Sequence, residues 1–299
     1  MSMAEERAIT RRDFLRGTAG MALAASLAPE IWKEAAYAEE KTKVILIRHP
    51  EAVSAEGKIH GEIVQCMVDD ALKTLLSEKE PLQAWQQLFN SSDVVGIKSN
   101  HWRDLPTPKE LEAAIRRRLM DVGVLEKNIS IDDRGVRNNP IFQNSTALVN
   151  VRPVRTHHWA GIGSCIKNYI QFVPRPSEYH DDACADLAKI WDLPIVKGKT
   201  RLNILCALQP QFYGRGASFF DRRYVWPYRG LLLGTDPVAV DAVGAHLLQK
   251  KRIAFFGEDR ELDVLPTHIN VADKKYHLGV SDLNRIQLIK LGWMEDVLI

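Results

Sequence analysis

The chain has 299 residues, 45% of them hydrophobic and 26% charged, with a formal net charge of +2 at pH 7. That balance is ordinary for a globular protein and excludes a disordered or membrane-embedded chain; the near-neutral charge gives no general drive toward nucleic acid or anionic membrane. A small-molecule ligand and no nucleic-acid partner are therefore expected. Four cysteines, Cys66, Cys165, Cys184 and Cys206, lie far apart, without the spacings that ligate zinc or iron–sulfur clusters or attach haem. Buried thiols are expected, with one disulfide as the alternative.

Residues 1–38 read as a targeting segment outside the fold. Thr10-Arg11-Arg12-Asp13-Phe14-Leu15-Arg16 resembles the twin-arginine (Tat) export signal. The weakly apolar run from Gly17 to Leu27 is too short, and too rich in Ala and Gly, for a membrane span of about 20 residues. Ala36-Tyr37-Ala38 offers a small-x-small cleavage site, leaving a mature chain from Glu39 with no integral membrane span. The resemblance implies passage through the twin-arginine translocase to the periplasm or beyond. That route carries folded proteins and so favours a cofactor. Residues 39–299 are expected to form a single α/β domain.

Lys43 to Arg48 is a continuous apolar run, as in a strand buried on both faces. From Ile63 to Leu76 apolar residues recur at helical spacing, a short helix follows over Pro81–Phe89, and Asp93 to Lys98 reads as a second buried strand. Ligands of open parallel sheets bind beyond the carboxyl ends of strands, which makes Lys98, Asn100 and His101 candidates. Thr107-Pro108-Lys109-Glu110 reads as a capping box that starts a helix ending near Gly123. Arg116-Arg117-Arg118 on that helix reads as a solvated face. Asn128–Asp132 and Ala147–Val151 are further strands, the second running into Arg152-Pro153-Val154-Arg155.

The stretch from Thr156 to Asn168 concentrates the chemistry. His157 and His158 precede Gly161-x-Gly163, and Lys167-Asn168 follows. Neither the three-glycine dinucleotide fingerprint nor the Walker A loop is complete, because Ile166, Lys167 and Asn168 occupy the diagnostic positions. The glycines are expected to form a turn that opens a helix and offers its N–H groups to an anion. In a strand His157 and His158 point to opposite faces, so both reach one ligand only where the chain has left the sheet. Together with His180 they are the candidate metal ligands.

Tyr179-His180-Asp181-Asp182 is expected to open a helix reaching Trp191. Arg201–Cys206 reads as a strand. The loop from Gln209 to Arg229 interleaves Phe212, Tyr213, Phe219, Phe220, Tyr224, Trp226 and Tyr228 with four arginines. It suits either a lid over a planar or anionic ligand or a loop folded onto its own aromatics. Gly230–Thr235 is a last core strand, and Asp236-Pro237 starts a helix as N-cap and first residue. Asp241, one turn later, is a candidate to face the site, and the run Ile286–Ile289 closes the fold. The expected architecture is a mostly parallel open sheet flanked by helices, Rossmann-like and three-layered.

The blocks Val95–Asn100, His158 with Gly161, Gly163 and Lys167-Asn168, His180, and Thr235–Ala242 resemble, in this order, the domain of unknown function 362 (DUF362) family, over roughly Val44 to Ile289. The spacing from His158 to Lys167 bears a fainter likeness to the nickel-pincer lactate racemases. Some DUF362 members carry ferredoxin-type cysteine clusters, which this sequence lacks, and the family supplies no reaction. Two functions are expected in competition. One is an exported enzyme with Lys98, His158, Lys167 and Asp241 catalytic, and Asn100, Gly161, Gly163 and Asn168 holding a metal or an anionic cofactor or substrate, for proton-transfer or redox chemistry. The other is a non-catalytic periplasmic protein binding a small anion with the same groups.

Overall fold

The computed structural model describes residues 41–216 and 220–299, and Lys41–Ile299 forms one compact unit. The export signal expected within residues 1–38, and Phe219, lie outside the described residues. Seven strands form a path in the order β3-β2-β4-β6-β7-β1-β8, and β5 pairs β4 off that path. They are β1 (Thr42–Arg48), β2 (Val95–Lys98), β3 (Ile129–Asp132), β4 (Ala147–His157), β5 (Gly161–Gly163), β6 (Thr200–Gln211), β7 (Gly230–Gly234) and β8 (Ile286–Gly292). Every pairing on the path is parallel except those of β7 with β6 and β1. Among its described residues the link from β6 to β7 contains one 3-10 turn, Arg222–Tyr224, and no crossover helix, and the chain returns antiparallel.

Alternation along the central strands gives the sheet two apolar faces. Ile45, Ile97, Val149, Val151 and Ile204 pack beneath α1 (Gly61–Leu76), α2 (Pro81–Leu88) and α3 (Lys109–Asp121). Val44, Leu46, Leu148, Val154 and Leu205 pack beneath the segment around Ile166 and Tyr169 and beneath α4 (Pro237–Phe256) and α5 (Thr267–Lys274). The result is an open, mixed, mostly parallel sheet between helical layers. Asp236 caps α4, accepting from the N–H groups of Val238 at 2.8 Å and Ala239 at 3.0 Å. No helix among the described residues is long and apolar enough to cross a membrane.

Two local expectations are corrected, and one open alternative is decided in part. Thr107 does not cap α3. Its hydroxyl accepts the N–H of Asn100 at 3.1 Å, and Pro108 occupies the cap position. The helix expected from Tyr179 to Trp191 is broken, because Asp182, Ala183 and Cys184 take left-handed φ values of 47°, 55° and 62° before a 3-10 run over Ala185–Asp192. In the aromatic loop, Phe212 is buried edge-on against Tyr224 at 5.6 Å and Trp226 at 5.4 Å, so that part folds back on itself.

Candidate functional site

Lys98, Asn150 and Asn203 stand in register on neighbouring strands β2, β4 and β6, and strand alternation points all three to the face covered by the Ser164–Phe172 segment. Asn150 donates to Asn203 Oδ1 at 3.1 Å and to the carbonyl of Cys165 at 3.0 Å. Asn203 passes the row on to the carbonyl of Thr235 at 3.1 Å. Above the row, Asn168 donates to Asn150 Oδ1 at 2.9 Å, to the carbonyl of Lys98 at 3.1 Å and to that of Val151 at 3.2 Å. Asn168 is therefore a clamp between the sheet and its covering turn.

Lys98 is fully buried and donates to Ser99 O at 2.6 Å, Asp133 Oδ1 at 2.7 Å and Asn168 Oδ1 at 3.3 Å. An ammonium has three N–H donors, so all are engaged within the scaffold. Burial pulls its pKa down to about 8, with Asp133 opposing. Asn100 is buried, and its Oδ1 has no hydrogen-bond partner among the described residues.

The Gly-x-Gly element differs from the expected anion cradle. Gly161–Gly163 folds back as β5 against β4, pairing Gly161 with His157 and Gly163 with Arg155. The helical turn begins later, at Cys165. Its first amides are occupied by Asp241, which accepts from Cys165 N at 2.7 Å, Ile166 N at 2.8 Å and Ser164 Oγ at 2.6 Å. The protein supplies its own anion to this terminus, and Asp241 touches neither a lysine nor a histidine there. The basis for expecting Asp241 at the carboxyl edge also changes, because antiparallel β7 ends at the opposite edge from β2 and β4; α4 brings the carboxylate back toward the turn. Burial raises the Asp241 pKa to about 6, and its three donors oppose the rise.

The glycines matter for space. Gly161 has φ +70°, and a Cβ there would lie 2.5 Å from the carbonyl oxygen of Val264. A Cβ on Gly163 would lie 2.8 Å from Nη2 of Arg152. Arg152 is 4% exposed and Arg155 3%. Neither forms a salt bridge among the described residues, and the Nε of each has no hydrogen-bond partner there. Arg155 donates through Nη1 to Thr156 O at 3.3 Å and stacks on Trp102 at 4.2 Å. Burial lowers both guanidinium pKa values, and the charge of Arg152 deepens the fall at Arg155. Arginine does not lose its proton in proteins. Asp133 opposes the fall at both arginines and Asp241 at Arg152, but burial outweighs them, as expected for buried cations that no carboxylate among the described residues pairs directly.

Lys167 belongs to the same cluster. It is 2% exposed, and its Nζ contacts Cys184 Sγ at 3.4 Å. Burial lowers its pKa to about 8, and Arg152 and Arg155 contribute to the fall. His268 on α5 is fully buried, with neither ring nitrogen partnered among the described residues. Burial, then Lys167 and Arg152, bring its pKa down to about 3. Sequence reasoning missed Arg152, Arg155 and His268 as site residues; the available signal was two arginines set among the apolar neighbours Val151 and Val154.

His157 and His158 stack at 4.9 Å with rings 9° apart, and Trp159 bridges to His180, whose ring centre is 4.0 Å away. Burial, then the charge of Lys167, hold His157 and His180 neutral, His180 at about 4. The candidate metal ligands His157, His158 and His180 thus lie together around Trp159. Among the described residues no group of three His, Cys, Asp or Glu side chains is placed to hold a metal ion. A cavity of about 210 Å³ opens beside them, lined by His157, His158, Gly161, Tyr213, Arg215 and Asp263 among others. A larger cavity of about 350 Å³ is lined by Pro108, Pro153, Leu208 and Phe220 among others; Phe220 packs edge-on against Trp102, the ring on which Arg155 stacks.

Residues 128–246 match the family described as a domain of unknown function (DUF362). The matched span contains Arg152, Arg155, His157, Gly163, Lys167, Cys184 and Asp241; Lys98 and His268 lie outside it. No curated protein and no solved structure shows a significant match.

Proposed function

We propose that this chain binds a small anionic substrate, a carboxylate or a phosphate, in the cluster formed by Arg152, Arg155, Lys167 and His268, and that Lys167 exchanges a proton with it. The observation that carries this reading is a buried excess of positive charge: three cations without a salt bridge among the described residues, beside a histidine with no partnered nitrogen there. Unpaired buried charge costs several kcal/mol unless a counter-ion relieves it, and an anionic ligand is such a counter-ion. Lys98, Asn168 and Asp241 serve as scaffold in this reading, and Gly161 and Gly163 give room for the cluster. A lysine near pKa 8 can act as acid and as base around neutral pH. The engagement of Lys98 and Asp241 within the fold favours a second reading, a binding protein without catalysis.

Calorimetric titration of the purified protein with inorganic phosphate, sulfate and short carboxylates tests binding. Arg152→Met is expected to abolish it with the far-ultraviolet circular dichroism unchanged; equal affinity in wild type and variant would overturn the reading. Exchange of solvent deuterium into a bound carboxylate, followed by NMR, separates catalysis from binding. Export by the twin-arginine translocase to the periplasm is part of the proposal, supported by Arg11-Arg12 and the Ala36-Tyr37-Ala38 site. Arg11→Lys with Arg12→Lys should leave unprocessed protein in the cytoplasm.

A further inference from the structure

Cys184 is fully buried and distant in sequence from the other cysteines, and its Sγ has two neighbours of opposite character. It donates to the carbonyl of Trp159 at 3.4 Å and receives the Nζ of Lys167 at 3.4 Å. The lysine brings the second, independent observation: it is 98% removed from solvent, with no carboxylate paired to it among the described residues. Its one hydrogen-bond partner there is this sulfur. The surrounding cations are Arg152 and Arg155, which disfavour a third charge. The amine therefore has ready access to its neutral, nucleophilic form. The approach is enforced by the backbone, since three successive residues at left-handed φ, Asp182 to Cys184, hold the thiol there. Each such residue costs about 1–2 kcal/mol in an L-amino acid.

We infer that Lys167 and Cys184 form an oxidisable pair, in which dioxygen joins Nζ to Sγ through one oxygen atom as a reversible N–O–S bridge. The amine gives up one hydrogen and the thiol its only one. One atom of dioxygen forms the new N–O and O–S bonds, and the other leaves as water with both hydrogens. Nitrogen and sulfur are each oxidised by two electrons, and dioxygen takes up all four. Dithiol reductants supply four electrons and four protons and return amine, thiol and a second water. The consequence for ligand binding rests on the proposed function: bridging removes the ammonium of Lys167 from the cationic cluster and weakens its hold on an anion.

The test uses the purified full chain, equilibrated with dioxygen and then with excess dithiothreitol. Intact-mass spectrometry is expected to show the gain of one oxygen and loss of two hydrogens, reversed by the dithiol. Peptide mapping should show a cross-link between the peptides carrying Lys167 and Cys184. Cys184→Ser and, separately, Lys167→Arg should each lose the cross-link. Recovery of Cys184 as a thiol or sulfinic acid, uncross-linked after full exposure, would overturn the inference. Sulfate titration of the two forms keeps the readings apart. A cross-link with no sulfate binding in either form supports the pair and counts against the anion site. Sulfate binding without a cross-link supports the site and sinks the pair.

Discussion

The guanidinium of Arg152 rests against Gly163, so closely that a Cβ on the glycine would lie 2.8 Å from Nη2. Gly163 faces Arg155 in the β4–β5 ladder, so its backbone has little freedom to move away. Gly163→Ala should thus fold but push Arg152 out of position. Sulfate affinity is expected to fall about tenfold, roughly 1.4 kcal/mol, with a small loss of thermal stability. Unchanged affinity by calorimetry would separate Arg152 from the anion site.

If the cluster binds an anion as proposed, Lys167 should set the pH dependence of that binding. Burial lowers its pKa to about 8 from 10.5, and the cationic form is the one that attracts an anion. Sulfate keeps its charge from pH 6 to 9, so a fall in affinity as pH rises through 8 reports the protein. Lys167→Arg should flatten that profile. A wild-type profile already flat between pH 7 and 9 would contradict the assignment.

Asp241 affects stability in the opposite sense to most carboxylates. Its folded pKa is raised from 3.8 to about 6, chiefly by burial, so the folded state holds a proton that the unfolded state has released. Its contribution is present below pH 3.8 and is lost as pH rises to 6, on the order of 3 kcal/mol. Asp241→Asn should remove this slope. Urea denaturation of both proteins at pH 4, 5 and 7 checks it, and parallel curves would refute the buried, raised carboxyl.

Ala183 has φ 55° in the left-handed run. Glycine adopts that conformation without the Cβ penalty, so Ala183→Gly is expected to stabilise the fold by about 1 kcal/mol. A lowered melting temperature would show that the run is not strained.

Strand positions were legible in the sequence where burial on both faces left continuous apolar runs, as at Val44–Ile47 and Leu231–Leu233. Asp236 and Pro237 were legible because local chemistry determines an N-cap. The direction of β7 was not, since hydropathy is the same read in either sense. The roles of Lys98 and Asp241 depended on partners far along the chain: Asp133 for one, Ser164 to Ile166 for the other. Periodicity cannot report such pairings. Gly161 and Gly163 answer to a different need from the one expected, close approach of Val264 and Arg152 rather than amides aimed at an anion.

The first described strand, β1, lies between two of the last, β7 and β8, with seven residue pairs in register along β8. Until residue 292 has joined, β1 has at most one neighbour and presents an open edge of unpaired N–H and C=O groups, which is prone to wrong pairing. Sheet closure is therefore a late event with large loop-closure entropy, and sequence-distant pairing of this kind folds slowly. Removing residues 286–299, which takes β8 away, should cost more than the contacts of one edge strand, because it exposes the flank of the first described strand.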